Sequence, residues 1–316
     1  MSTRPAQRRW FDGRLHVASP AALHPRTPSG AGVNTPPRFG VCLLPTDMTL
    51  PPAALARAVE ERDLDMLFFA ENSHVPVKHR KNSYHRSDIV EPFARMHDSI
   101  TALAACAAVT QRIQLGTGVC LLTERDPIIT AKAIASLDHL SGGRVLFGIA
   151  GGWIKEAIEH HGSSFKDRWA IVRERALAIR ALWRDDPAQF HGEYVDFGPA
   201  WSFPKPLQPG GPPIYIGSNS DAVPARVADY ADGWMPIYDR YKGDPLSDLR
   251  RACDEVGRDY QEMTVLLFGA PLDAAVLMDF IARGCDGFVF LVPPARQHEV
   301  LVVLDELAAL RRGLGV

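Results

Sequence analysis

Short apolar runs alternate with one-sided apolar stripes along most of this sequence, and this alternation constrains the fold more than any other feature. The runs are nearly continuous, which is typical of strands buried on both faces of a parallel sheet. Eight predicted strands follow this pattern: Phe39–Leu44, Met66–Ala70, Ile113–Cys120, Val145–Ala150, Pro213–Gly217, Gly233–Ile237, Thr264–Gly269 and Gly287–Val292. Strands in strict alternation with helices predict an α/β protein, a (β/α)8 TIM barrel.

The segments between the strands have apolar residues at helical spacing, such as Ile129, Ala133 and Leu137. The predicted helices are Pro52–Arg62, Ser99–Val109, Ile128–Leu140, Phe165–Trp183, Asp221–Tyr230, Leu246–Val256, Asp273–Arg283 and Gln297–Arg311. A long polar segment, residues 71–97, has no helical period and is interpreted as a loop. Gln189–Phe197 interrupts the alternation with a hairpin pattern, so we expect an insertion over about residues 185–212, after the fourth strand–helix pair.

The first 37 residues differ from the rest. They are rich in Arg, Pro, Ser and Ala, have one acidic residue, Asp12, and show no sustained apolar period. A transit peptide has a similar bias, but five prolines in the second half of this stretch oppose an amphipathic helix. We therefore expect an N-terminal arm, mobile or packed on a neighbouring subunit, followed by one barrel domain over residues 38–316.

Composition excludes several classes of protein. The formal net charge of -2 argues against a nucleic-acid-binding surface over the whole chain. No apolar run approaches the roughly 18 residues needed to cross a membrane. The five cysteines are scattered and form no CxxC pair, the usual pattern of reduced thiols in a cytoplasmic protein.

In a barrel of this kind, chemistry occurs where the strands end, at the carboxyl-terminal face. Gly118 lies at one predicted strand exit and Gly151 and Gly152 at the next, which suggests a floor on which a flat ligand could lie. No strand ends in lysine, and no histidine or carboxylate has metal-ligand spacing. With Asp47, Glu71 and His74 as the few acid–base candidates, the sequence favours an enzyme whose cofactor brings the reactivity.

Several motifs resemble one known family. They are Leu115-Gly116-Thr117-Gly118-Val119, Leu137 to Arg144, Gly148 to Trp153, Phe190 to Tyr194, Pro204-Lys205-Pro206, Pro213 to Gly217 and Asp232-Gly233-Trp234. Together they resemble the bacterial luciferase-like superfamily of flavin and deazaflavin oxidoreductases. The similarity is greatest to the branch that uses coenzyme F-420, an 8-hydroxy-5-deazaflavin.

This resemblance implies a cofactor site. It implies a non-prolyl cis peptide at Gly118–Val119, in a bulge that presses on one face of the tricyclic ring; an ordinary glycine bulge is the alternative. It places the cofactor phosphate near Gly217, Ser218, Asn219 and Ser220, although serine and asparagine there could simply cap the next helix. Trp153, after Gly151-Gly152, is expected to wall the ring or the substrate pocket.

Two residues are candidates for polar chemistry. His74 occupies the position where deazaflavin relatives have a histidine, which could hydrogen-bond the ring or substrate and relay a proton. Glu71 is the second candidate, with a salt bridge or helix cap as its structural alternative. The loop that follows is basic and could attract an acidic cofactor tail or substrate.

We therefore expect a cytoplasmic oxidoreductase that moves a hydride between coenzyme F-420 and a small organic substrate, with no metal. One alternative is an FMN-dependent reductase or monooxygenase that works with a separate reductase. A second alternative is a barrel that binds flavin or another ligand without turnover. By analogy with relatives, we expect a homodimer.

Overall fold

The computed structural model describes residues 36–78 and 87–316, and within them the chain forms a closed barrel of parallel strands. The strands are β1 (Arg38–Leu43), β2 (Met66–Phe69), β3 (Gln114–Leu121), β4 (Val145–Ala150), β5 (Ala188–His191), β6 (Asp196–Ala200), β7 (Ile214–Ile216), β8 (Gly233–Trp234), β9 (Thr264–Phe268) and β10 (Gly287–Leu291). The barrel runs β1-β2-β3-β4-β7-β8-β9-β10 and closes on β1, while β5 and β6 pair separately. The predicted (β/α)8 barrel is confirmed.

Helices cover the outside of the barrel. They are α1 (Pro52–Glu61), α2 (Ser87–Ala94), α3 (Ser99–Ala107), α4 (Pro127–Ser141), α5 (Lys155–His160), α6 (Arg168–Arg184), α7 (Val223–Tyr230), α8 (Pro245–Val256), α9 (Ala274–Ala282) and α10 (Gln297–Leu314). The sequence did not predict α2 or α5, because α5 has only six residues and α2 contains Pro92, a helix breaker. None of the described helices is long and apolar enough to cross a membrane.

Three aspartates tie neighbouring strands together at the amino-terminal end of the barrel. Asp65, Asp232 and Asp286 each stand immediately before a strand and accept a backbone N–H from the preceding strand of the sheet, from Phe39, Ile214 and Val265 respectively, at 2.7 Å. Each aspartate also donates its own backbone N–H to the carbonyl oxygen of the residue whose N–H its side chain accepts. This reciprocal pair fixes the stagger between adjacent strands and satisfies polar groups that the helices would otherwise bury.

The predicted hairpin Gln189–Phe197 is confirmed as β5 and β6, which pair antiparallel between α6 and β7. Its turn is held by Glu174 of α6, whose carboxylate accepts the backbone N–H groups of Glu193, Tyr194 and Val195. The domain boundaries at residues 37 and 38 and the insertion limits stay predictions. The expected N-terminal arm lies outside the described residues.

The sixth predicted strand is shorter than expected. Gly233–Ile237 was predicted, but only Gly233–Trp234 pairs as β8, with one isolated bridge from Ile237 to Phe268. Pro236 has no N–H to donate, and the N–H of Ile237 is bound by the side chain of Asn219, 2.8 Å away. The chain therefore leaves the sheet early and turns toward the loop that follows β7.

Candidate active site

A cavity of about 790 Å³ opens at the carboxyl-terminal ends of the barrel strands. Its size is in the range of cavities that hold a cofactor together with a substrate, about 300–1,000 Å³. The predicted site residues that line it are Glu71, Gly118, Val119, Gly151, Gly152, Trp153, Gly217, Ser218, Asn219 and Ser220. His74 is the one predicted site residue that is not part of its wall.

The third strand is bulged at the floor of this cavity. Pairing between β3 and β4 shifts register between Thr117 and Cys120, and the Gly118–Val119 peptide bond is cis, as expected. A methyl group at Gly118 would lie 3.0 Å from the ring of Phe268 and 3.1 Å from Phe68 Cβ. The bulge therefore fits tightly against the barrel interior and presents Val119 to the cavity.

The exit of β4 supplies the adjacent wall. Gly152 has a φ of 73°, a left-handed conformation that favours glycine, and this turns the chain so that Trp153 borders the cavity. The indole N–H of Trp153 donates to Asn72 Oδ1 at 3.3 Å, and its ring lies 5.3 Å from the ring of Phe93. The indole is held by this hydrogen bond and this aromatic contact, and it forms part of the cavity wall.

The loop Gly217–Ser220 is held both by the segment around β8 and by the helix that follows it, since the Ser220 carbonyl oxygen accepts the backbone N–H of Val223 at 2.9 Å. Ser218 O accepts the indole N–H of Trp234 at 2.9 Å, and Asn219 Oδ1 accepts the N–H of Ile237. Helix α7 begins at Val223 with Ala222 as its N-cap, and no side chain caps it. The alternative that these serine and asparagine side chains cap the next helix is therefore not confirmed, because no side chain caps the start of α7.

Two arginines stand behind this loop and the β4 exit. The Arg226 guanidinium lies 4.4 Å above the ring of Trp169, which lines the cavity, and donates to Ser220 Oγ at 3.4 Å. The side chain of Arg168 packs on Gly151. Burial lowers the pKa of both side chains, and for Arg226 the nearby charge of Arg168 lowers it further. This edge of the cavity is therefore positively charged.

Glu71 is buried and fully occupied. Its Oε1 accepts Arg125 Nε at 2.9 Å and the N–H of Leu121 at 3.0 Å, and its Oε2 accepts Arg125 Nη2 at 2.7 Å and Ser99 Oγ at 2.5 Å. Burial tends to lower the pKa of the Arg125 guanidinium, but its bonds to Glu71 and Asp98 outweigh burial and raise it. The geometry favours the structural alternative for Glu71, an ion pair that joins the ends of β2 and β3.

His74 belongs to a histidine cluster beside the cavity. Its Nδ1 is 2.9 Å from Ser73 Oγ, and its Nε2 is 2.9 Å from Nδ1 of His160 on α5. Ser73 Oγ also lies 3.0 Å from His161 Nε2 and donates to the buried Glu124 at 2.7 Å. Burial raises the pKa of Glu124, and burial together with the adjacent histidines lowers the pKa of His161. The sequence missed His160, His161 and Glu124, because the short helix α5 brings the two histidines to His74 and the turn after β3 brings Glu124.

No cluster of three or more His, Cys, Asp or Glu residues with metal-binding geometry occurs within the described part of the chain. The lining residues that the sequence did not single out are mostly apolar. Those that come from strand ends are Cys42, Leu43, Leu44, Ala70, Leu121, Ala150, Phe268, Leu291 and Val292. An apolar residue at the end of a buried strand continues the strand pattern, so nothing in the sequence distinguishes it from core.

Together these features define an α/β barrel with one large ligand cavity at its carboxyl-terminal face. A family model for luciferase-like monooxygenases matches residues 38–272, and the chain belongs to that family. The resemblance predicted from the motifs is confirmed. The family includes enzymes that depend on F420 and enzymes that depend on FMN.

Relatives of both kinds are similar to this chain. An uncharacterized protein of Mycobacterium tuberculosis is 34% identical over 279 residues, covering 86% of this chain and 97% of its own length. An F420-dependent glucose-6-phosphate dehydrogenase of Nakamurella multipartita is 28% identical, covering 70% of this chain and 68% of its own. An FMNH(2)-dependent dimethylsulfone monooxygenase of Pseudomonas putida is 30% identical over 42% of this chain and 38% of its own.

A solved structure has the same fold. The monooxygenase RslO1 from Streptomyces bottropensis superimposes with a TM-score of 0.70 at 18% identity, covering 88% of this chain and all of that one. At this identity the likeness extends to the fold alone.

Proposed function

We propose that this protein is an oxidoreductase that transfers a hydride between coenzyme F-420 and a small organic substrate. The observation that supports this most is the composition of the cavity wall. Glycine-bearing exits of β3, β4 and β7 leave a smooth surface. Among the described lining residues, burial raises the pKa of the one thiol, Cys42, to about 12, and both oxygens of the one carboxylate, Glu71, are bound. Such a site needs a cofactor to supply the reactivity.

The residues present fit a flat ring with an anionic tail. The bulge at Gly118–Val119 and the glycines of the β4 exit would lie against the ring, and a methyl group at Gly118 would press on Phe68 and Phe268. Ser218, Asn219 and Ser220 offer hydrogen-bond donors at the opposite end of this surface, beside the positive charge of Arg226. We expect this end to hold the phosphate.

A bound deazaflavin would supply the hydride chemistry, and the protein would position the ring and the substrate and relay the proton. Val119 would support one face of the ring, and Trp153 would limit the space in which a substrate can lie. The histidine cluster of His74, His160 and His161 lies beside the cavity and offers a route for the proton that accompanies hydride transfer. Glu71 would act as a positioning residue through Arg125.

FMN is the second candidate cofactor, with a reductase as partner, because the family contains FMN-dependent enzymes. F-420 ranks first because the F420-dependent relative resembles this chain over a longer stretch than the FMN-dependent one. Titration of the purified apo-protein with each cofactor, followed by fluorescence, separates them. We expect tighter binding of F-420. Tighter binding of FMN would favour the alternative, and binding without any substrate-dependent change in cofactor absorbance would indicate a non-catalytic barrel.

The remaining proposals concern how the protein assembles and where in the cell it works. We propose that the protein works as a homodimer in the cytoplasm and binds neither nucleic acid nor membrane. Size-exclusion chromatography with light scattering tests the dimer directly.

A further inference from the structure

The wall of the cavity has two chemically different halves. In the barrel, β3, β4 and β7 are adjacent, β8, β9, β10 and β1 follow on the other side of β7, and β2 closes the circle between β1 and β3. The glycines and hydrogen-bonding side chains assigned to the cofactor all follow β3, β4 or β7. The half formed by β8, β9, β10 and β1 is thus left for the substrate.

This second half is entirely apolar. Its lining residues are Cys42, Leu43, Leu44, Ile237, Phe268, Leu291, Val292, Pro293 and Pro294. Leu291 is 58% exposed, whereas its neighbours Phe290 and Val292 are buried. A large aliphatic side chain that stands open in a cavity, among other apolar groups, is typical of a surface that a ligand covers.

The charge of the wall is also informative. Only Cys42 and Glu71 have ionisable side chains among the described residues that line the cavity. Burial raises the pKa of the Cys42 thiol to about 12, so the group is neutral at physiological pH. Both oxygens of Glu71 are bound to Arg125 and backbone or hydroxyl donors. The half of the wall formed by β8, β9, β10 and β1 therefore offers a substrate neither a cation nor an available anion, whereas Arg168 and Arg226 stand behind the other half.

We infer that the substrate is an uncharged molecule with an extended apolar part, and not a phosphorylated or carboxylated compound. This inference rests on the proposed function, since it assigns the other half of the cavity to the cofactor. A phosphate placed against Leu291, Val292 and Pro293 would lose its hydration without gaining a hydrogen-bond donor or a positive charge. An aliphatic group placed there would bury apolar surface on both partners.

The test uses two probes that share one hydrocarbon part, cyclohexylmethanol and cyclohexylmethyl phosphate. Calorimetry would measure their dissociation constants for the full chain, saturated with F-420 and without it. We expect the alcohol to bind at least about tenfold more tightly than the phosphate, as the difference in desolvation predicts. Equal or tighter binding of the phosphate, or no binding of either probe at millimolar concentration, would overturn the inference.

A matched pair of variants locates the effect. Leu291→Arg places a cation on the apolar wall, and we expect it to reduce the preference for the alcohol by at least about tenfold. Val302→Arg makes the same change at an exposed apolar position of α10, 44% exposed, which is not a lining residue, and the preference should stay as in the wild type. An unchanged preference in Leu291→Arg would contradict the assignment.

The two proposals fail in different ways. If the protein bound neither F-420 nor FMN, the proposed function would be wrong, whereas the preference measured without cofactor would still decide the chemistry of the substrate wall. If a cofactor bound and the phosphate probe were preferred, only the substrate inference would be wrong. Residues 79–86, which include Arg80, Lys81 and Arg86 and lie outside the described residues, would then be the first place to seek a phosphate-binding group.

Discussion

The side chain of Val119 lies directly over Gly217, so that a methyl group added to Gly217 would be 2.5 Å from Val119 Cγ1. This contact joins the bulge at the end of β3 to the loop after β7, which are separated by β4 in the barrel. The surface proposed for the ring and the loop proposed for the phosphate are therefore one connected unit. We therefore expect a substitution at Val119 or at Gly217 to displace the other residue.

Gly217→Ala tests this connection. We expect the variant to remain folded, with a loss of about 1–3 kcal/mol in unfolding free energy from overpacking, and to bind the cofactor at least about tenfold more weakly. Gly198→Ala is the control, since a methyl group at this exposed hairpin position would meet no atom within 4 Å. Chemical denaturation and cofactor titration would measure both. Wild-type cofactor affinity in Gly217→Ala would contradict the coupling.

Ser220→Asp tests the phosphate end. The new carboxylate would lie beside Arg226, neutralise its charge and repel the phosphate, so cofactor affinity should fall by about tenfold or more. Ser220→Asn adds similar volume without charge and serves as the control. The loss should vanish for a deazaflavin that lacks the phosphate. Equal affinities of Ser220→Asp and wild type would remove this loop from the site.

Glu71→Ala separates a positioning role from a chemical one. Its removal leaves Arg125 partly unpaired in a buried place, and we expect the unfolding free energy to fall by about 3–5 kcal/mol. Asp47→Ala breaks an exposed ion pair with Arg95 and should change stability little. Thermal and denaturant unfolding would measure the difference. A stable Glu71→Ala protein without turnover would instead support Glu71 as an acid or base.

Asp286 gives stability a pH dependence of a defined sign. Burial raises the pKa of its carboxyl to about 6, and within the described residues it has no ion pair, unlike Asp65 and Asp232. The folded chain thus holds the proton more tightly than the unfolded chain, whose pKa is near 3.9. This group therefore lowers stability as pH rises from about 4 to about 6, by roughly 3 kcal/mol, and the loss levels off above the folded pKa.

Asp286→Asn should remove this dependence and be more stable than wild type at pH 7. The amide oxygen can still accept the N–H of Val265. Asp232→Asn is the comparison, and because it loses an ion pair with Arg180 it should be less stable at the same pH. Denaturant unfolding at several pH values measures both. The difference in unfolding free energy between Asp286→Asn and wild type should change between pH 4 and 7. A constant difference would contradict the assigned pKa.

His74→Ala should impair turnover and leave cofactor binding largely intact, because His74 is outside the cavity wall but hydrogen-bonded within the adjacent cluster. If the cluster relays a proton, His160→Ala should lower the turnover rate as well. His191→Ala, at an exposed hairpin position, is the control. The steady-state turnover rate and the cofactor affinity of each variant would be compared with those of the wild type. Equal rates in all four proteins would exclude the cluster from catalysis.

The barrel could be predicted from the sequence because each of its strands is a short apolar run, and the order of the runs determines the order of the strands. Gly118, Gly151 and Gly217 could be placed at the cavity for a related reason: parallel strands end at one face, so residues at strand exits meet there. The motifs around these glycines indicated the family, which the family model confirms.

Other parts of the site could not be predicted. Whether Glu71 is available or already bound depends on Arg125, which is 54 residues away and whose direction only the fold determines. Arg168 and Arg226 look like ordinary polar positions of helices, and only packing brings them together at the edge of the cavity. The apolar half of the cavity wall could not be predicted either. Leu291 is the last residue of an apolar strand, and the sequence does not distinguish it from a core residue.

The most direct test of the central claim is a crystal structure of the protein with coenzyme F-420 bound. We predict that the ring lies against Val119 at the bulge of β3, with the phosphate within hydrogen-bond distance of Ser218, Asn219 or Ser220. A ring bound on the opposite wall, against Leu291 and Pro293, with the bulge covered by protein side chains, would contradict the account.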